Sequence, residues 1–238
     1  MLYLIGLGLD VHGISKQGLD VVKKCKQIYL ENYTVDFPYE LNLLEEFLGK
    51  KIVQANREFV ESLQIVDEAS KKDVALLIYG SPLFATTHIA LIQEAKACGV
   101  KYDVIYNASV FDAISETGLQ LYKFGKISSM PAWQKEKNFT PDSFIEIVKQ
   151  NLSIDAHSLI LVDIGLDFEK ALEQFEISAE KQKLKLGKFL VCSRLGAENS
   201  KIVYANIEIM KRVRIKKPFC LIVPGKLHFV EKEMLENF

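Results

Sequence analysis

Two glycine-punctuated segments of this 238-residue chain have the residue types and placement to receive a ligand. The first, Gly6-Leu7-Gly8-Leu9-Asp10, leaves the apolar run Leu2–Ile5. Glycines there permit a tight turn and remove the Cβ that keeps a ligand off the backbone. A dinucleotide fingerprint would need glycine at position 11, which is Val11, and a helix starting at once. Instead His12-Gly13-Ile14 intervene before Ser15 can cap a helix. A nicotinamide dinucleotide is therefore disfavoured. Two readings stay open: a purely structural turn, or a turn that lets another ligand approach the peptide groups. The second segment, Gly80-Ser81-Pro82-Leu83-Phe84-Ala85-Thr86-Thr87-His88, follows the apolar run Val74–Ile78. Strand, turn, then helix is the geometry that places ligands at the carboxyl ends of parallel strands. Thr86 or Thr87 is expected to cap the following helix, and His88 reads equally well as a first-turn histidine satisfied by its neighbours.

Other chemistries are poorly served. The cysteines Cys25, Cys98, Cys192 and Cys220 lie far apart with no metal-ligand spacing, and three of them end apolar helices or sit in apolar runs, so buried thiols are expected. GxSxG, HExxH and P-loop patterns are missing. His88, His228 and Asp163 are the candidates by type for accepting a proton, and none is singled out as a base. The formal net charge of −1 gives no overall pull toward nucleic acid or an anionic membrane. The densest basic run, Lys211–Lys217 (KRVRIKK), is either a solvated helix end or a docking patch for an acidic surface.

The elements that carry these segments alternate between short apolar runs and helical patterns, an α/β signature. Strands are expected at Leu2–Ile5, Val74–Ile78, Leu159–Val162, Phe189–Cys192 and Phe219–Val223, each apolar on both faces as in covered sheets. Edge or shorter strands are expected near Gln27–Leu30, Asp103–Tyr106, Gly125–Ser128 and Ile202–Tyr204. Ser15 caps a helix that buries Leu19 and Val22 and ends near Cys25. Leu41, Leu44 and Leu48 mark a helix face closed by Gly49. A further helix spans Thr86–Cys98, and Thr140-Pro141 signals the start of another with Phe144, Val148 and Leu152 on one face.

The rhythm breaks around 107–127, which suggests an N-terminal α/β domain over 1–107 and a C-terminal α/β domain over 108–238, with a ligand cleft between them. The run at Met1–Ile5 is too short for a membrane span and lacks a basic leader, so a cytoplasmic protein without membrane attachment is expected.

Seven segments, in order along nearly the whole chain, resemble the diphthine synthase family of the tetrapyrrole-methylase-like (class III) methyltransferases. They are Tyr3–Leu9, Gly80–His88, Asn107–Val110, Gly118–Gly125, Leu161–Ile164, Ser193–Gly196 and Ile222–His228. The resemblance implies two α/β domains, S-adenosyl-L-methionine as donor with S-adenosyl-L-homocysteine as product, no metal, and a homodimer. It also implies a protein substrate, translation elongation factor 2, N-methylated on the 3-amino-3-carboxypropyl chain of a modified histidine during diphthamide biosynthesis. Direct contact with nucleic acid is not expected. Carried over position by position, the donor contacts are Leu9, Ser81, Phe84, Ser109, Val110, Val162, Leu195 and Phe219, mostly through backbone groups. The family's second loop reads Gly-Asp-Pro, whereas Ser81 stands here in the acidic position. Serine keeps an acceptor and loses a charge, which predicts donor binding weaker by about 1–2 kcal/mol. The rival readings are a same-fold methyltransferase acting on a tetrapyrrole or ribosomal RNA, and a protein that binds the donor without turnover.

Overall fold

The computed structural model describes every residue, Met1–Phe238. The chain forms two compact units: Met1–Val110 with Gly196–Glu198, and Phe111–Leu195 with Asn199–Phe238. No helix is long and apolar enough to cross a membrane.

The first unit contains β1 (Leu2–Gly6), α1 (Lys16–Lys24), β2 (Gln27–Glu31), α2 (Leu41–Leu48), β3 (Val53–Ala55), α3 (Arg57–Glu61), α4 (Gln64–Ala69), β4 (Val74–Ile78), α5 (Ile89–Ala97) and β5 (Tyr102–Ile105). Its five strands pair in the order β3-β2-β4-β1-β5, all parallel. Alternate residues serve opposite faces. Leu2, Leu4, Val74, Leu76 and Ile78 pack with Val60, Ile65 and Leu91, whereas Ile5, Ala75 and Leu77 pack with Val22, Leu44 and Leu48. Both faces are thus covered by helices. Each fully buried Leu or Ile contributes about 1.5–3 kcal/mol from removal of apolar surface from water.

Local signals fix the helix ends. Ser15 Oγ accepts the Gly18 N–H at 3.1 Å to cap α1. Gly49 closes α2 at φ +63°, a conformation in which a Cβ is strained. The Thr86–Cys98 expectation is corrected at its start: α5 begins at Ile89 behind His88, and neither threonine caps it. Residues 80–88 therefore stay out of the helix as a longer loop. The short β3 gave no sequence signal, because its exposed Val53 and Gln54 break the apolar pattern.

A short helix α6 (Val110–Ala113) leads into a stretch of 3₁₀ turns. The second unit then has β6 (Ser128–Met130), α7 (Ser143–Ser153), β7 (Ser158–Val162), α8 (Phe168–Lys181), β8 (Phe189–Ser193), β9 (Lys201–Ala205), α9 (Ile207–Met210), β10 (Phe219–Val223) and α10 (Phe229–Leu235). Its sheet runs β6-β7-β10-β8-β9 and is mixed: only β6 and β7 are parallel. Phe189, Val191, Phe219, Leu221 and Ile160 face α7 and α8 through Phe144, Val148, Leu172 and Phe175.

Two further expectations shift here. The strand near Gly125–Ser128 lies at Ser128–Met130. At position 125 a Cβ would come 2.2 Å from Asn151 Oδ1, so this glycine serves a close approach instead. Helix α7 starts at Ser143, two residues after Pro141, whose carbonyl accepts the Trp133 indole N–H at 3.0 Å. Cys25, Cys192 and Cys220 are buried, whereas Cys98 is exposed.

Candidate functional site

In the first unit, the parallel order β4-β1-β5 sends three loops out at one sheet edge. Leu9 follows β1, Ser81 and Phe84 follow β4, and Ser109 and Val110 follow β5. The first two loops are fastened to each other. Gly8 and Gly80 form an isolated antiparallel bridge, with Gly80 N–H on Gly8 O at 2.9 Å and Gly8 N–H on Gly80 O at 3.2 Å. Both glycines have positive φ, +72° and +71°. Gly6 is compelled by space: a Cβ there would lie 2.6 Å from Gly80 O and 2.9 Å from Asn107 Cβ.

Asn107 joins the third loop to the first. Its side-chain amide donates to Gly6 O at 3.0 Å and Gly13 O at 2.9 Å, and its Oδ1 accepts the Ala108 N–H at 2.8 Å. The role of this residue was hidden in the sequence, where only the surrounding segment stood out. Its signal is chemical: asparagine alone among short side chains can donate twice and accept at once.

The second loop is braced from beneath. His88 is 1% exposed, with Nδ1 3.1 Å from Pro82 O and Nε2 3.5 Å from the Tyr33 hydroxyl. Burial holds its pKa below the ordinary histidine value. A neutral ring donating to Pro82 O and accepting from Tyr33 explains both contacts. Behind it, fully buried Glu31 accepts from Tyr33 N–H at 2.8 Å and Thr34 Oγ1 at 2.6 Å. His88 thus holds the loop and has no ring nitrogen left for a substrate proton.

In the second unit, strand pairing brings the remaining predicted residues to one sheet edge. The β10–β7 register sets Phe219 at the end of β7 where Val162 lies, and Phe219 pairs with Ser193 on β8, two residues before Leu195. Phe219 and Leu195 are buried and Val162 is half-buried. Ser193 Oγ donates to Lys216 O at 2.6 Å and Arg194 Nε to Lys217 O at 2.7 Å, which fixes the approach to β10.

Asp163 and His228 are both exposed. Asp163 accepts from Ala132 N–H and Ile164 N–H, each at 3.0 Å, and so shapes the turn after β7. His228 stands before α10, its N–H given to Glu231 Oε2 at 2.7 Å. That glutamate was not anticipated. It is fully buried and also meets Lys123 Nζ, the Gln120 N–H and His157 Nε2.

The second loop offers both room and an unsatisfied polar atom to a ligand. A Cβ at Gly80 would stay 3.7 Å from Ala108 O and Ser109 Cα, so this turn is open to close approach. Thr86 Oγ1 is buried without a hydrogen-bond partner, an orphan that a polar ligand would satisfy.

The family model for tetrapyrrole (corrin/porphyrin) methylases matches residues 1–210. The diphthine methyl ester synthase of Mus musculus is 36% identical, with 100% of this chain and 96% of that protein covered. The diphthine synthase of Methanocaldococcus jannaschii is likewise 36% identical, over 99% of this chain and 98% of its own length. A crystal structure of diphthine synthase superposes with a TM-score of 0.90 at 33% identity, covering 100% of this chain and 95% of that one. The chain therefore belongs to the tetrapyrrole methylase family and, within it, to the diphthine and diphthine methyl ester synthases, S-adenosylmethionine-dependent methyltransferases of diphthamide biosynthesis.

Proposed function

We propose that this enzyme N-methylates the 3-amino-3-carboxypropyl chain carried by a histidine of translation elongation factor 2, as a cytoplasmic homodimer. The observation that carries the reading is the full-length identity of 36% to a diphthine synthase and to a diphthine methyl ester synthase. It is supported by the double hydrogen bond between Gly8 and Gly80, which fixes the first two turns as one unit. Leu9, Ser81, Phe84, Ser109, Val110, Val162, Leu195 and Phe219 are proposed to contact the donor. Its bound form supplies a sulfonium methyl with a thioether leaving group already built in, so no metal is called for.

The chain's own contribution is alignment and positioning. Asn107 and the glycine bridge hold the first two turns at fixed separation. His88 holds Pro82, and with it Ser81, from the protein side, and Glu31 fixes the Tyr33 segment that His88 meets. The attacking amine must be neutral, and solvent takes its proton in this reading, since His88 is already committed to Pro82 and Tyr33.

The deciding experiment mixes this protein, S-adenosylmethionine and elongation factor 2 bearing the unmethylated precursor, then weighs the factor. Mass gains in methyl steps are expected. An unchanged mass with methylation of a tetrapyrrole or ribosomal RNA instead would transfer the assignment to that substrate.

A further inference from the structure

The loops after β2 and β4 bring together three aromatic rings that lie outside the proposed donor contacts. The Phe37 ring centroid lies 5.5 Å from that of Tyr39 and 5.4 Å from that of Tyr79, with the planes inclined at 73° and 74°. Tyr39 and Tyr79 are 6.4 Å apart at 45°. Rings set this steeply present faces in different directions instead of forming a stack. All three are half-buried. The Tyr79 hydroxyl donates to Leu9 O at 3.0 Å, which ties the cluster to the first glycine turn. Burial, Tyr79 and the neighbouring Asp10 carboxylate together raise the Tyr39 pKa. The Tyr39 hydroxyl is itself buried and has no hydrogen-bond partner.

Aromatic faces are surroundings that hold a methylated onium cation. Such a cation has its charge spread over methyl groups and is attracted by the ring quadrupoles. We propose that Phe37, Tyr39 and Tyr79 form a subsite for a methylated onium cation at the carboxyl edge of the first sheet. The proposal rests on the methyl-transfer reading above and assigns a part of the protein to its charge. Two compounds supply this chemistry: the substrate amine once methylated, and the donor sulfonium. The orphan Tyr39 hydroxyl favours the amine, whose carbon also bears a carboxylate able to accept its hydrogen bond.

In each transfer the nitrogen lone pair forms the N–C bond while the S–C bond breaks and its electron pair stays on sulfur. Positive charge passes from sulfur to nitrogen, and a proton leaves to water before the next attack. Each added methyl weakens hydration of the ammonium, so a larger share of its stabilisation falls to the rings. The later transfers depend on the subsite more than the first.

The test uses the full-length enzyme and the variants Phe37→Leu and Tyr39→Leu, which remove a ring, and Tyr39→Phe, which removes only the hydroxyl. With the precursor-bearing factor, mass spectrometry over time should show the ring-deleting variants slowing later transfers relative to the first by roughly five- to thirtyfold. If the occupant is the sulfonium instead, that ratio holds while S-adenosylmethionine loses affinity relative to the uncharged S-adenosylhomocysteine by a similar factor. Either change supports the subsite and names its occupant; neither changing overturns it. A second measurement needs no variant. Tetramethylammonium titrated into the wild-type enzyme should shift the ring resonances of Phe37, Tyr39 and Tyr79, and the uncharged isostere tert-butanol should not. Equal shifts, or none, overturn the proposal. A wild-type enzyme that leaves the factor unmethylated defeats the proposed substrate, and the titration still decides the subsite.

Discussion

Replacing Glu231 by glutamine isolates the buried ion cluster that organises the second unit. The carboxylate takes Lys123 Nζ and the His228 N–H on Oε2, and the Gln120 N–H and His157 Nε2, both at 3.0 Å, on Oε1. Gly225 N–H occupies His157 Nδ1 at 2.9 Å, so the imidazole proton sits on Nε2 and points at Glu231. Every partner is a donor. A glutamine amide offers one oxygen and one NH2, so two donors must face an NH2 in either orientation. Breaking one side of a buried ion pair costs about 3–5 kcal/mol. The Lys123 side chain keeps 22% exposure, which places Glu231→Gln at about 3 kcal/mol, the lower end of that range.

The pH dependence provides an independent measure. Burial alone would push the Glu231 carboxyl up, but Lys123, the His228 and Gln120 N–H groups and His157 outweigh it and bring the pKa from 4.5 down to about 2. A depressed carboxyl pKa stabilises the fold above 4.5, and the contribution fades as pH falls through the folded value. At about 1.4 kcal/mol per unit, and allowing for screening, the contribution is roughly 2–3 kcal/mol. His157 is lowered by burial against the opposing pull of Glu231, so it too favours the fold above 6.5 and weakens it in acid. Denaturant unfolding followed by Trp133, the sole tryptophan, reports on this unit. The wild-type advantage over Glu231→Gln should be near 3 kcal/mol at about pH 7 and shrink between about pH 5 and pH 2. A gap below about 1 kcal/mol at neutrality, or one that persists in acid, refutes the reasoning.

Four other perturbations address the loops and the basic run. Ser81→Asp restores a carboxylate in the second loop and should tighten S-adenosylmethionine binding by about tenfold in calorimetry; no change removes the charge argument. Asn107→Asp turns two donations to Gly6 O and Gly13 O into repulsions, and donor affinity should fall at least tenfold, each lost bond being worth about 1 kcal/mol. Gly6→Ala drives a methyl into Gly80 O and should cost about 1–3 kcal/mol while separating the bridged turns; a donor titration matching wild type would show the bridge to be dispensable. In the basic run, Lys211 pairs with Glu176 and Glu208, and Lys217 with Asp167. Neutralising exposed Arg212, Arg214 and Lys216 to glutamine should slow association with elongation factor 2 at low salt, read by stopped flow, and leave donor affinity intact.

How much was legible in the sequence divides along physical lines. The covered strands announced themselves through unbroken apolar runs, and Val74–Ile78 and Phe219–Val223 have the bounds expected from composition. Ser15 and Gly49 were legible because a cap and a positive-φ stop are local chemistry. What local reading missed was competition. Thr86 and Thr87 have the hydroxyls of a cap, but His88 is drawn inward by Pro82 and Tyr33, and the helix waits until Ile89. The mixed sheet was equally hidden, since strands covered on both faces read alike whether their neighbours run parallel or antiparallel. Asn107, His157 and Glu231 act across separations of up to 111 residues, and no window along the chain contains such partners.

The proposed donor contacts show why the resemblance carried further than side-chain chemistry. Leu9, Val110, Val162, Leu195 and Phe219 offer no functional group; what they share is a place at or just beyond the end of a strand or bridge. In the first unit the parallel strands end there together, so the loops at one edge are all outgoing. In the second unit β7 and β8 end where β10 begins, and the same arrangement is reached through antiparallel pairing. Peptide groups at such positions present donors and acceptors whatever the side chain, provided the backbone keeps its path. The residues under constraint are then those that set the path: Gly6, excluded from bearing a Cβ; Gly8 and Gly80, at positive φ; and Asn107, which ties two carbonyls together. Conservative changes at Leu9 or Val162 should therefore be tolerated where a single methyl at Gly6 is not, and paired donor titrations of Leu9→Ile, Val162→Ile and Gly6→Ala would reverse the argument if the order came out the other way.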